Sequence, residues 1–223
     1  MQSYKQLEEY CLNRFGSRTA LEANLPTPRD AEALRRIPDD RYLSTLALRV
    51  FRAGLKHSLV DAKWPAFEQA FFGFDPDKVV LMGGEHIERL MQDKRLIRHL
   101  GKLRSVPRNA QMVLDIRTEH GSMGQLIADW PVTDITGLWR LLQRQGNQLG
   151  GLSSPRFLRM MGKDSFVVTG DVAAALKARG VVDKVPTSQR DLAATQAFFN
   201  QLHADSGRPM CQLSMMLAYT VNH

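Results

Sequence analysis

The stretch Leu149-Gly150-Gly151-Leu152-Ser153-Ser154-Pro155-Arg156 gathers residue types suited to holding a phosphate. Two adjacent glycines permit positive φ and a close backbone approach. Leu149 and Leu152 are spaced to anchor a bend between two helices. Ser153 or Ser154 is placed to cap the following helix, and Pro155 suits its first turn. Uncommitted N–H groups at such a helix start favour an anion. Arg156, Arg159 and Lys163 add positive charge. Gly150, Gly151, Ser153, Ser154, Arg156 and Lys163 are therefore the candidate phosphate contacts. A plain glycine-rich turn has the same composition, so the segment alone leaves both readings open. Downstream, Phe166 to Thr169 reads as a short extended piece, and Asp171 follows it. Asp171 is placed either to face a cleft beside the hairpin or to cap the next helix. Asp164 reads as an exposed turn residue.

The elements that must position these groups are nearly all helical. Residues 3–15 predict a helix with Ser3 as a possible cap. The stretch 22–41 predicts a loop with one short helix at 29–35. The run from Tyr42 to Arg52 is strongly apolar and reads as a buried helix. Two short helical pieces punctuated by Gly54 and Pro65 should follow. Further helices are expected near 85–91, 102–118, 122–129, 136–145, 155–161, 171–179, 191–203 and 211–220. No sustained alternation of apolar and polar residues is present. The expected fold class is all-α, a single unit over 1–223 with its hairpin near 146–162.

Composition agrees with an ordinary globular chain. Of 223 residues, 43% are hydrophobic and 24% charged, with a formal charge of +7. That balance favours a polyanionic partner, because phosphate neutralisation releases counterions. Cys11 and Cys211 form no CxxC pattern, which fits reduced thiols. No apolar run approaches the roughly 20 residues of a spanning helix. The sequence reading is thus a cytoplasmic protein, nucleoid-associated if bacterial, with no membrane partner.

Two resemblances sharpen these expectations. The order of hairpin, helix, extended piece, polar residue and helix resembles the helix-hairpin-helix base-excision glycosylases. The run from Leu48 to Asn109 is similar to the DNA-3-methyladenine glycosylase I family. It matches at Ala53-Gly54-Leu55, Phe74-Asp75-Pro76, Lys78-Val79, Ile87-Glu88-Arg89-Leu90, Ile97-Arg98-His99, Gly101-Lys102 and Asn109-Ala110. The resemblance implies two helical lobes around a DNA-binding cleft. It also implies release of a damaged base, alkylated by the family's habit, from double-stranded DNA by an enzyme acting as a monomer.

The departures are specific. Where the family carries a base-contacting glutamate before Ala53-Gly54-Leu55, this chain has Arg49. The family tryptophan after the Gly-Leu-Ser motif corresponds to His57. The superfamily's catalytic aspartate position falls in Val168-Thr169-Gly170, leaving Asp171 as the candidate catalytic carboxylate. The family's zinc ligands are not matched, since His223 stands without the neighbouring cysteines, so no metal and no cofactor are expected.

Cleaving an N-glycosidic bond builds positive charge on the sugar, which a carboxylate stabilises. An everted base needs stacking walls. Arg49, Phe51, His57, Trp64 and Trp139 are the candidate pocket residues, although each type is as much at home in a core. A lyase lysine would stand early in the helix after the hairpin, where Pro155 sits, so a monofunctional hydrolase is expected. A catalytically weak, lesion-sensing relative is the alternative that the missing carboxylates leave open.

Overall fold

The computed structural model describes residues Tyr4 to Val221. The expected cap Ser3, and Asn222 and His223 of the tail, lie outside the described residues. In chain order the helices are α1 (Tyr4–Phe15), α2 (Arg18–Ala23), α3 (Ala31–Arg36), α4 (Asp39–Arg52), α5 (His57–Ala70), α6 (Pro76–Val79) and α7 (Gly84–Gln92). Then follow α8 (Leu100–His120), α9 (Met123–Asp129), α10 (Ile135–Gln145), α11 (Ser153–Met161), α12 (Gly170–Ala178), α13 (Gln189–Ser206) and α14 (Met210–Tyr219). Single 3-10 turns stand at Phe72–Phe74 and Val132–Asp134. Among the described residues there is no strand, and no helix is long and apolar enough to cross a membrane.

By internal contacts the chain divides into two compact units. The first comprises Met1–Arg29, Pro131–Leu138 and Gly162–His223; the second comprises Asp30–Trp130 and Trp139–Met161.

The second unit is organised around α4. Asp39 and Asp40 occupy its first turn and Arg49 and Arg52 its last, which suits the helix dipole at both ends. Between them Tyr42, Leu43, Leu46, Ala47, Val50 and Phe51 are buried, because α4 packs against α5, α8 and α11. The Asp39 carboxylate fixes the N-terminal end. It accepts from the Met123 amide at 2.9 Å and from Arg117 Nε at 2.9 Å.

Three local expectations differ from the structure. The stretch 22–41 holds more helix than its prolines and charges suggest. Ser17 caps α2 by accepting from the Ala20 amide at 3.1 Å, Asp30 caps α3 by accepting from the Ala33 amide at 2.7 Å, and α4 already begins at Asp39. The two pieces split at Pro65 are one helix, α5. A proline in a helix interior costs about 3 kcal/mol. Here Trp64 and Phe67 offset that cost. They stack with centroids 4.9 Å apart and 15° between planes, and Trp64 stacks on Phe74 at 5.4 Å and 10°. Asp164 is not a free turn residue. Its carboxylate accepts from the Met210 and Cys211 amides at 3.1 and 2.8 Å and so caps α14.

The first unit packs α12 and α13 on α14, with Phe166 stacked on Phe199 at 4.2 Å. The extended piece near Phe166 has no strand partner. Instead the Ser214 hydroxyl accepts from the Val167 amide and donates to the Val167 carbonyl, both at 3.1 Å. One side chain thus meets the backbone need that a sheet would otherwise meet.

Candidate functional site

The hairpin lies in the second unit, between α10 and α11. Gly146 closes α10, its amide donating to the Leu142 carbonyl at 2.9 Å. A Cβ on Gly146 would stand 2.8 Å from the Leu142 carbonyl oxygen and 2.3 Å from Leu149 Cδ1, so only glycine fits. Asn109, buried on α8, then grips the next residue from both sides. Its Nδ2 donates to the Asn147 carbonyl at 3.0 Å and its Oδ1 accepts from the Asn147 amide at 2.7 Å. Gln148 and Gly151 both take positive φ, +64° and +56°. Leu149 is buried and anchors the bend.

The two serines hold the bend from inside. The Ser154 hydroxyl donates to the Leu149 carbonyl at 2.8 Å, and the Ser153 amide donates to the Gly150 carbonyl at 3.1 Å. Both side chains are buried. Ser153's amide is therefore already committed, whereas the amides of Gly150, Gly151 and Leu152 have no acceptor among the described residues. Gly150 and Gly151 are exposed, and a Cβ on Gly151 would meet nothing within 4 Å. Three main-chain donors are thus uncommitted within the described residues. Arg156, half-buried on α11, lies within electrostatic reach of Arg49.

Arg49 is the least ordinary group in this unit. Its residue is 5% exposed, and its Nε is buried with no hydrogen-bond partner. No carboxylate pairs with it among the described residues. The charges that act on it belong to Arg156, Arg52 and Lys102. Burial first, then these cations, push its pKa down from the usual arginine value. Arg52 is neutralised by Asp61, through contacts of 2.9 and 2.7 Å. Lys102 spends its ammonium on the Phe51 and Ala53 carbonyls at 3.2 and 2.5 Å, closing the C-terminal end of α4. Burial, and then Arg49, lower its pKa.

The other expected residues are placed as follows. Phe51 is fully buried, with its ring edge-on to Phe67 at 4.6 Å. Trp64 is half-buried, and its Nε1 donates to the Ser44 hydroxyl at 3.1 Å. Ser44 in turn donates to Glu68 at 2.6 Å, and Glu68 receives both ends of the Arg41 guanidinium at 3.0 and 2.9 Å. His57 is exposed at the first position of α5. Trp139 is buried on α10. These four share the second unit with the hairpin and Arg49.

Asp171 and Lys163 belong to the first unit. Lys163 is buried in the segment leading to α12, and Asp171 is exposed in the first turn of that helix. Asp171 is not the cap of α12. Thr169 has the extended backbone of a cap, and its hydroxyl accepts from the Val172 amide at 3.4 Å.

Sequence reasoning missed Asn109 as a positioning residue and Lys102 as the closure of α4. The available signal was register: Asn109 falls among the buried Leu103, Val106, Ala110 and Val113 of α8. A polar side chain at such a position needs an internal partner.

With this geometry in hand, likeness to known proteins is informative. The chain is 40% identical over 76 residues to DNA-3-methyladenine glycosylase 1 of Escherichia coli, covering 34% of this chain and 41% of that protein. It is 38% identical over 74 residues to a DNA-3-methyladenine glycosylase of Haemophilus influenzae, covering 33% and 40%. The matches therefore span about two fifths of the length of these curated relatives. The solved 3-methyladenine DNA glycosylase I of Staphylococcus aureus superposes with a TM-score of 0.50 and 28% identity, over 56% of this chain and 77% of that one. An 8-oxoguanine glycosylase/lyase of Methanocaldococcus jannaschii, solved with DNA containing 8-oxoguanine, superposes with a TM-score of 0.55 over 97% of this chain and 95% of that one. At 11% identity that likeness concerns the fold alone. It is the all-helical helix-hairpin-helix glycosylase fold that the hairpin order implies. The methyladenine glycosylase family model matches residues 33–188, a span that holds α4, the hairpin and α12. The chain belongs to the methyladenine glycosylase family.

Proposed function

We propose that the protein is a monofunctional DNA N-glycosylase. It binds double-stranded DNA as a monomer and releases a damaged base in base-excision repair. Relatives named for 3-methyladenine make alkylated purines the first substrates to assay. The observation that carries this reading is the hairpin inside the family-matched span. Three amides, of Gly150, Gly151 and Leu152, have no acceptor among the described residues. Such a donor set suits a phosphodiester oxygen, with Arg156 adding charge.

Asp171 is the carboxylate assigned to the sugar. As positive charge grows at the anomeric carbon, a nearby carboxylate stabilises it and draws a proton from the attacking water. Arg49, Phe51, His57, Trp64 and Trp139 are assigned to the everted base, and Lys163 to the phosphate backbone. No lysine stands at the start of α11, where Ser153, Ser154 and Pro155 are found, which favours hydrolysis over lyase chemistry. The assigned place of action is the cytoplasm, on the nucleoid in a bacterial cell.

One observation favours a second reading, that of a lesion-binding relative without base release: among the described residues no carboxylate pairs with Arg49. A single experiment separates them. Alkylated duplex DNA is incubated with the protein, and free base and DNA affinity are measured together. Free base released in excess of a no-protein control supports the glycosylase. Salt-sensitive binding without free base supports the sensor. Absence of binding at low salt removes both.

A further inference from the structure

Arg49 is a guanidinium with nothing to hold. Its Nε is buried without a partner, and the residue is 5% exposed. The helix end that would ordinarily justify a cation is already served, because Lys102 takes the Phe51 and Ala53 carbonyls. Asp61 is taken by Arg52, the neighbouring cation on the same helix. A buried cation normally has a counter-ion and a full set of acceptors. Here both are lacking, and the cations Lys102 and Arg156 lie within electrostatic reach.

Two properties of a ligand follow. The unspent Nε, with the guanidinium nitrogen beside it, forms one straight edge of two parallel donors. Its complement is a pair of acceptors on one rigid edge. The surplus of positive charge also excludes a cationic ligand. A purine alkylated at N3 or N7 carries a formal positive charge in DNA, and it meets only like charge here. A neutral purine with a carbonyl at C6 beside N7 presents the two-acceptor edge that an arginine fork grips. Guanine shares that edge, but it is firmly paired with cytosine. Eversion is least costly for a mispaired base, which points to hypoxanthine opposite thymine.

We propose that Arg49 is the specificity-determining residue of the base site, selecting a neutral damaged purine of the hypoxanthine type through its C6 carbonyl and N7, and rejecting cationic alkylated purines. This rests on the reading that the protein everts a damaged base. A backbone phosphate also fits a guanidinium fork, but phosphates remain solvated in a groove, whereas Arg49 is buried.

The test uses the full chain and duplexes identical except at one position. That position holds hypoxanthine opposite thymine, 7-methylguanine opposite cytosine (cationic, with N7 blocked), or undamaged guanine opposite cytosine. Affinity is read by fluorescence anisotropy and base release by single-turnover assay. The expected wild-type preference for hypoxanthine over 7-methylguanine is about tenfold or more, the discrimination typical of one bidentate contact. Arg49→Gln and Arg49→Lys should each remove that preference, and Arg49→Glu should reverse it.

Three results overturn the proposal. One is a wild-type preference for 7-methylguanine, or none at all. A second is equal weakening of all three duplexes by Arg49→Gln with a shallower salt slope, which makes Arg49 a phosphate contact. The third is an unchanged preference in the substituted protein. The underlying reading fails separately. If the binding preference holds but no base is released, the recognition stands and the glycosylase assignment falls. If alkylated base is released and Arg49→Gln leaves the ratio unmoved, the enzyme assignment stands and the proposal falls.

Discussion

The carboxamide of Asn109 holds the peptide of Asn147 from both sides, donating at 3.0 Å and accepting at 2.7 Å. This pair couples the middle of α8 to the residue that opens the hairpin. Asn109 is buried, so both Asn147 groups lose their partner together when the side chain is removed. Asn109→Ala should cost roughly 1–3 kcal/mol, the range for leaving buried polar groups unsatisfied. It should also loosen the bend and weaken duplex binding. Thermal unfolding and anisotropy measure the two effects. A stability loss with normal DNA affinity would mean that the hairpin needs no help from α8.

Gly151 stands at φ +56° with open space where a Cβ would point. Gly151→Val therefore meets strain of roughly 1–2 kcal/mol and no clash. The fold survives, but a branched side chain now covers the amides of Gly151 and Leu152. Affinity for undamaged duplex should fall and the salt dependence should flatten, since a phosphate contact is lost. Affinity equal to wild type across a salt titration would remove the hairpin from the binding account.

Arg49→Met tests the same residue on the stability axis. Replacing a buried, unpaired charge with an apolar side chain of similar volume removes a desolvation penalty, with reported gains of roughly 1–4 kcal/mol for buried ionic groups. In a chain of this size each kcal/mol moves Tm by about 2–4 °C. Calorimetry should show Arg49→Met melting higher than wild type while losing base selectivity. A lower Tm would mean that Arg49 is part of the core after all.

Asp164 caps α14 through two amides, at 3.1 and 2.8 Å. Asp164→Ala should lower stability by about 1 kcal/mol, as loss of a cap does. Asp164→Asn should recover only part of it, because the carboxamide has one accepting oxygen where the carboxylate uses two, one for each amide. DNA affinity should not change in either. A matched loss of affinity in chemical denaturation and binding series would place Asp164 near the DNA instead.

What the sequence made legible follows from how local each signal is. Buried α4 could be read from Tyr42 to Phe51, because one helix shows its apolar face without help from its neighbours. The hairpin was legible because Gly150, Gly151 and Pro155 are restricted by their own backbone chemistry. Pro65 misled because its cost is local whereas the stacking of Trp64 with Phe67 and Phe74 that offsets it is not. Asp164 misled likewise, since its partners lie 46 and 47 residues away. Arg49 could be singled out as an arginine on an apolar helix, but its lack of a carboxylate is a property of everything folded around it.

Asp171 carries the chemistry in the proposed reaction, and its substitution is the most direct test. The residue is exposed in the first turn of α12, and Thr169 does the capping. Asp171→Asn keeps the shape and removes the charge. Unfolding temperature should fall by no more than about 4 °C, since a first-turn carboxylate contributes about 0.3–1 kcal/mol through the helix dipole. Lesion-duplex affinity should be kept or slightly raised, because one negative charge facing a polyanion is gone. Base release in single turnover should fall by roughly 100-fold or more, the usual contribution of a positioned acid–base group. Release at the wild-type rate would mean that another group serves the sugar, and Asp171 would then be only a favourable charge at a helix start.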